Sequence, residues 1–186
     1  MTAPAEEWGC VHGRFQPFHH GHLEYALRAK RRCARLVVGI TNPDPARTRA
    51  ESGSPHRHLP GSNPFTYLER AVMIRDALLD EGVPPRDFLL VPFPIQDLDL
   101  LPHYAPRDAR HFVRVYSEWE REKVRRLRSL GLRLEILDPG KEKETSGEEV
   151  RRLLRTDERW ERLVPEATAN VVREILSNTP ARLQPA

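Results

Sequence analysis

The segment GRFQPFHHGHLEYALRA, Gly13 to Ala29, sets Arg14 and three histidines, His19, His20 and His22, against a short apolar run. His19 and His22 are three positions apart, which puts both side chains on one face of a helical turn. Gly21 between them lets a ligand approach the backbone closely. Arg14 is a fixed planar cation able to fork two phosphate oxygens. If a helix begins here, its free N–H groups and partial positive charge suit a phosphate-bearing ligand. Histidines near a helix start are also common as surface residues and caps, and H-x-x-H can offer two metal ligands. No nearby Cys, His or carboxylate completes a tetrahedral set at a familiar spacing, so no metal held by a protein cage is expected.

A second phosphate-suited stretch lies late in the chain. TSGEEVRRLL, Thr145 to Leu154, puts Ser146 where an N-cap belongs, Gly147 after it, and Arg151 one and a half turns into the helix. A hydroxyl and free amides with an arginine behind them form another phosphate cradle. Lys141 and Lys143 lie on the approach to it.

These residues need strands and helices to position them. EWGCVHG, Glu7 to Gly13, reads as a first strand, and HHGHLEYALRAKRRC follows with apolar residues at helical spacing. RLVVGIT, Arg35 to Thr41, is a β-branched run typical of a strand buried on both faces. Strand, helix and strand in this order make a βαβ unit and a parallel sheet. The polar stretch Asn42 to Pro64, rich in Pro, Gly and Ser, reads as a long functional loop. TYLERAVMIRDALLDEG is a helix stopped at Gly82, DFLLVPFPI a third strand, and RHFVRVYS a fourth. In QDLDLLPHYAPRDA, Pro102 and Pro106 argue against one long helix. EWEREKVRRLRSLG is a charged helix ending at Gly131, LRLEIL a fifth strand, and SGEEVRRLLR and PEATANVVREIL are final helices. The alternation predicts an α/β fold, a Rossmann-like doubly wound parallel sheet that binds ligands beyond its strand carboxyl ends. One domain over 1–186 is expected, with an enlarged loop at about 42–64 and C-terminal helices from about 146.

Among 186 residues, Lys plus Arg (30) exceed Asp plus Glu (27) by only three. Nucleic-acid binding usually shows a larger or more clustered excess, whereas anionic small molecules fit this balance. Cys10 and Cys33 stand at no metal-ligand spacing, and no secretory signal or membrane-length apolar run is visible. A reduced cytoplasmic setting, without nucleic-acid or membrane partners, is expected.

GRFQPFHHGH resembles the signature of the nucleotidylyltransferase superfamily, whose H-x-G-H element appears as His19, His20, Gly21 and His22. The longer string is similar to that of archaeal-type nicotinamide mononucleotide (NMN) adenylyltransferases. TSGEEVRRLL is similar to the superfamily's I-S-S-T-x-I-R, matching at Ser146, Gly147, Val150 and Arg151. NPFTYLER (Asn63 to Arg70), RVYS (Arg114 to Ser117) and RWERLVPEATANVVREI also resemble the archaeal-type enzymes, so the resemblance covers nearly the whole chain. It implies a nucleotidyltransferase fold, with a homo-oligomer allowed, that moves NMP from a nucleoside triphosphate to a small acceptor and releases pyrophosphate. His19 and His22 would stabilise charge at the phosphates, and Arg14 and Arg151 would hold the β- and γ-phosphates. Gly13, Phe15, Gln16, Gly21, Ser146, Gly147, Lys141 and Lys143 would line the triphosphate. Mg²⁺ would come bound through triphosphate oxygens and water.

The departures from this pattern lie on the acceptor side. The segment after the third strand lacks the tryptophan that helps hold nicotinamide in the archaeal-type enzymes. The family's G-N-P after the fourth strand is replaced by Glu118, Trp119 and Glu120, and Glu148 stands where the late motif has Thr. The enlarged loop carries Arg47, Arg49, His56, Arg57 and His58. Asn42, Arg47, Arg57, Asn63, Tyr104 and Trp119 are the residues expected at the acceptor. The chain also resembles cytidylyltransferases of phosphonate biosynthesis, which leads to transfer from CTP to a small phosphonate. The alternative is NMN adenylyl transfer from ATP, with Trp119 or Tyr104 replacing the missing stacking group. A second alternative is a non-catalytic nucleotide-sensing module, against which the intact His19, His22, Ser146 and Arg151 argue.

Overall fold

The computed structural model describes residues 6–50, 58–116, 118–138, 145–156 and 158–179. Five parallel strands form one sheet in the order β3-β2-β1-β4-β5: β1 (Glu6–Gly13), β2 (Cys33–Thr41), β3 (Phe88–Phe93), β4 (Arg110–Val113) and β5 (Arg133–Ile136). The helices are α1 (His20–Lys30), α2 (Tyr67–Asp80), α3 (Glu118–Ser129), α4 (Gly147–Thr156) and α5 (Glu166–Asn178). The order reverses between β1 and β4, and the crevice beyond such a switch point is where doubly wound sheets bind ligands.

Both faces of the central strands are buried, which explains the nearly unbroken apolar run of β2. Val11, Leu36, Val38 and Ile40 face a core shared with α1, α2, α4 and α5, through residues such as Leu23, Met73, Val150 and Val172. Cys10 and Val37 face the other way, toward Phe93, Ile95, Leu101 and Ala109. A Cβ on Gly39 would sit 2.4 Å from Phe93 Cδ2, so this position admits no side chain while Phe93 packs there. Glu6 Oε1 accepts hydrogen bonds from Arg110 and Arg133, tying the amino ends of β1, β4 and β5 together. The bond from Arg110 chiefly holds the Glu6 carboxyl below its usual range.

The third and fourth strands end earlier than the sequence expectation, while the proline-broken segment after the third forms no long helix, as expected. The fourth strand ends at Val113, because Arg114 leaves the ladder to donate to the Gly21 carbonyl in α1. The third stops at Phe93, where the chain turns and the Ile95 N–H donates back to the Phe93 carbonyl at 2.9 Å. The segment with Pro102 folds as a 3-10 helix over Leu98–His103, whose Leu101 is buried under the sheet. Among the described residues no helix is long and apolar enough to cross a membrane.

Candidate active site

β1 ends at Gly13, and the chain turns through Arg14–Phe18 into α1, with His19 as N-cap in extended conformation. The His19 N–H donates to His22 Nδ1 at 3.4 Å. A neutral imidazole that accepts at Nδ1 carries its proton on Nε2, so the backbone sets His22 as a donor through Nε2. The His19 and His22 rings stack with centroids 3.6 Å apart. Beneath them, Phe15 meets His22 edge-on at 5.0 Å and Phe18 lies 5.8 Å away. Phe15 achieves this at φ 53°, the left-handed region a bulky side chain rarely adopts. The histidines thus stand on an aromatic footing, His19 buried and His22 half-buried, while His20 is exposed. The first-turn amides of His20 and Gly21 have no preceding helical carbonyl to bond.

α4 brings the second motif to the same place. Arg151 is buried and donates to the Gln16 carbonyl at 2.5 Å, 135 residues away in the chain. Gly147 is the first residue of α4, and a Cβ there would lie 2.7 Å from Gln16 O. The helix can approach the turn this closely only with glycine at its start. Ser146 caps it by accepting the Glu149 N–H at 3.1 Å. Burial pulls the Arg151 guanidinium pKa down, and the Glu148 carboxylate partly offsets this. Two helix N-termini and two arginines therefore flank one turn.

Several of the expected phosphate contacts also hold parts of the fold together. Phe15 is a core residue, only 2% exposed. The Gln16 carboxamide is a buried clamp: its Nε2 donates to Phe65 O and its Oε1 accepts from Phe65 N, both at 2.9 Å. Arg14 donates to Ser62 O at 3.3 Å, so the same turn holds the end of the long loop twice. Gly13 closes β1, and Gly21 accepts from Arg114. Lys141, Lys143, His56 and Arg57 lie outside the described residues, as does the Trp119 side chain.

On the acceptor side, Asn42 takes φ 51° at the end of β2, a conformation asparagine tolerates well. Asn63 donates to Leu59 O at 3.0 Å, which braces its own turn. Arg47 is exposed and 3.6 Å from Asp44. Tyr104, 37% exposed, caps the 3-10 helix. Arg49 is committed to both oxygens of Asp97 at 2.7 and 2.8 Å, so it grips the protein. The Gln96 carboxamide clamps the Arg49 backbone as Gln16 clamps Phe65, donating at 2.8 Å and accepting at 3.1 Å. Two glutamines thus pin the loop near its two ends.

Two arginines escaped assignment from the sequence. Arg70, 1% exposed, donates to the carbonyls of Arg14, Thr41 and Asn42 at 2.7–2.8 Å and to Thr66 O at 3.2 Å. It joins the carboxyl ends of β1 and β2. Burial lowers its pKa to about 10, leaving it cationic at neutral pH. Arg114 binds Gly21 O and Glu24, joining the end of β4 to α1. Both sit in stretches quoted above, NPFTYLER and RVYS, but only the fold shows which carbonyls they reach.

Residues 10–153 match the family model described as cytidylyltransferase-like. The chain is 50% identical over 166 residues to a phosphonoformate cytidylyltransferase of Streptomyces viridochromogenes, covering 89% of this chain and 90% of that protein. It is 31% identical over 166 residues to a nicotinamide-nucleotide adenylyltransferase of Methanosarcina barkeri, covering 88% and 86%. A crystal structure of a bifunctional NMN adenylyltransferase/ADP ribose pyrophosphatase from Francisella tularensis superposes with TM-score 0.65 at 15% identity, over 93% of this chain. The chain spans half the length of that protein, which has also been crystallised with AMP and a manganese ion (TM-score 0.62, 14% identity). The paired motifs, the 3-2-1-4-5 parallel sheet and the family match lead to one conclusion: the chain belongs to the cytidylyltransferase-like family, whose members matched here are cytidylyl- and adenylyltransferases.

Proposed function

We propose that the protein is a cytidylyltransferase that uses CTP to activate a small phosphonate, with phosphonoformate as the first acceptor to test. The observation that carries this reading is the 50% identity to a phosphonoformate cytidylyltransferase along nearly the whole of both chains. The acceptor side supports it: the segment after β3 is a short 3-10 helix without tryptophan, suited to a compact charged acceptor better than to a stacked nicotinamide.

In the proposed reaction a phosphonate oxygen attacks the α-phosphorus of CTP. The new P–O bond forms as the bond from the α-phosphorus to the bridging oxygen breaks, and pyrophosphate leaves. Both reactants are anions, so positioning and charge neutralisation are the main tasks. His22 donates through Nε2 and His19 lies against it, where charge grows on the α-phosphate and bridging oxygen. Arg151 spends one N–H on Gln16 O and offers the rest of its five-donor fork to phosphate oxygens, with Arg14 opposite. The first-turn amides of α1 and α4 complete the cradle. This cradle of N–H donors and cations suits phosphate oxygens, and Mg²⁺ would enter as part of the nucleotide substrate, neutralising it. The whole chain would act as one catalytic unit, in solution and without a nucleic-acid or membrane partner.

NMN adenylyl transfer is the second reading, favoured by the 31% identity to the Methanosarcina barkeri enzyme. Pyrophosphate release measured across the four nucleoside triphosphates, each with phosphonoformate, a simple alkylphosphonate or NMN, separates the two. The proposal requires release with CTP and a phosphonate. Release with ATP and NMN alone overturns it, and no release from any pair returns the protein to the class of nucleotide sensors.

A further inference from the structure

Beneath the crevice, on the sheet face away from α1, three side chains converge that nucleotidyl transfer does not use. Cys10 and His12 project from β1 and His111 from β4, with potential ligand atoms all within 4.8 Å of one another. Cys10 and His111 are 0% exposed and His12 is 4% exposed. Among the described residues, neither nitrogen of His12 nor of His111 has a hydrogen-bond partner. The Cys10 thiol donates to the carbonyl of its chain neighbour Val11 at a long 3.9 Å. Buried polar atoms are nearly always satisfied, and four orphaned imidazole nitrogens in one place call for a ligand. Phe93 stacks on His12 at 4.2 Å, which accounts for the ring but not for its nitrogens.

We propose that Cys10, His12 and His111 bind a borderline-soft transition-metal ion of the Zn²⁺ type. One sulfur and two imidazole nitrogens are the ligand types such ions take, whereas Mg²⁺ and Ca²⁺ demand oxygens. The ion would therefore be separate from any Mg²⁺ carried by the nucleotide. Bonds of about 2.3 Å to sulfur and 2.0–2.1 Å to nitrogen ask the three groups to close by rotation of their side chains. On binding, the thiol proton passes to solvent and the thiolate reduces the net charge of the buried dication. The ion would clip β1 to β4 below Gly13, at a seam with two register pairs, Gly9↔Arg110 and Cys10↔His111, against seven between β1 and β2. This site does not depend on the proposed substrate.

The test is a Co²⁺ titration of the full chain after dialysis against a chelator, alongside metal analysis of the protein as purified. The expected results are one tightly held ion per chain, a thiolate-to-cobalt charge-transfer band, and a melting temperature raised by Zn²⁺. Cys10→Ser abolishes the charge-transfer band, and His111→Gln weakens binding at least tenfold. Cys33→Ser, on the opposite sheet face, and His103→Ala, on the surface, keep the spectrum. Absence of the band in the unmodified chain overturns the proposal whatever the variants do. A band that survives in Cys10→Ser, or that is lost in Cys33→Ser, overturns it equally.

Discussion

His22 is tied at Nδ1 to the His19 amide and rests on Phe15, so its ring is fixed before substrate arrives. A preorganised donor at a site of developing charge contributes about 10²–10³ in turnover. His22→Ala should lose that much while its melting temperature and circular dichroism stay near those of the parent. His20 is exposed, and His20→Ala should turn over normally in the same pyrophosphate assay. A folded His22→Ala with undiminished turnover would remove the histidine from the chemistry. Gly147 has a different task, because a methyl group there meets Gln16 O at 2.7 Å. Gly147→Ala should therefore push α4 off the turn, cost about 1–3 kcal/mol of stability as overpacked sites do, and raise KM for the triphosphate. An unchanged urea midpoint would show that α4 does not press on the turn. His19, His22, Ser146 and Arg151 were singled out by their spacing together with the resemblance to the nucleotidylyltransferase motifs, and the fold brings the two stretches to one turn. The tasks of Phe15 and Gln16 were not legible, because nothing local shows that one ring faces inward and one amide pairs with a backbone 49 positions away.

Among the elements, the joint between β1, β2 and α2 rests on Arg70, whose guanidinium serves four carbonyls from three segments of chain. A lysine has three donors on one nitrogen and cannot span them. Arg70→Lys should destabilise the fold by about 1–3 kcal/mol through carbonyls left unsatisfied. It should also weaken nucleotide binding, because Arg14 and Asn42 lose their anchor. Urea unfolding and a KM measurement on one sample check both effects; a stability equal to the parent's would contradict this role. The strand and helix order was legible because buried parallel strands read as apolar runs and α1, α2 and α5 carry helical periodicity. The shortening of β4 was not, since it follows from Arg114 turning toward Gly21 and Glu24, partners about 90 positions earlier in the chain. The Cys10, His12 and His111 cluster stayed hidden for the same reason. Its spacing matches no metal motif until β4 is laid beside β1.

For the molecule as a whole, the sheet is fastened at its amino end by Glu6 and brings the two candidate phosphate-binding stretches together at its carboxyl end. Glu6 is held ionised in the folded state by Arg110 and Arg133, so its pKa lies below the value of 4.5 it has when unperturbed. A carboxylate with a depressed folded pKa contributes stability above its unfolded pKa and loses that contribution as pH falls through the folded value. Glu6→Gln should thus be less stable than the parent at pH 7, with the difference shrinking as pH drops below 4.5. Urea midpoints for the pair at pH 7 and pH 3 measure this, and an equal gap at both would refute the ion-pair account. On the proposed reading, the crevice joins CTP to a small phosphonate. The most direct measurement is ³¹P NMR of the protein with CTP, Mg²⁺ and phosphonoformate. The account predicts two mutually coupled doublets from a new phosphonate–phosphate anhydride, growing in step with pyrophosphate. Unchanged CTP and phosphonoformate under conditions where ATP and NMN yield a dinucleotide would contradict it.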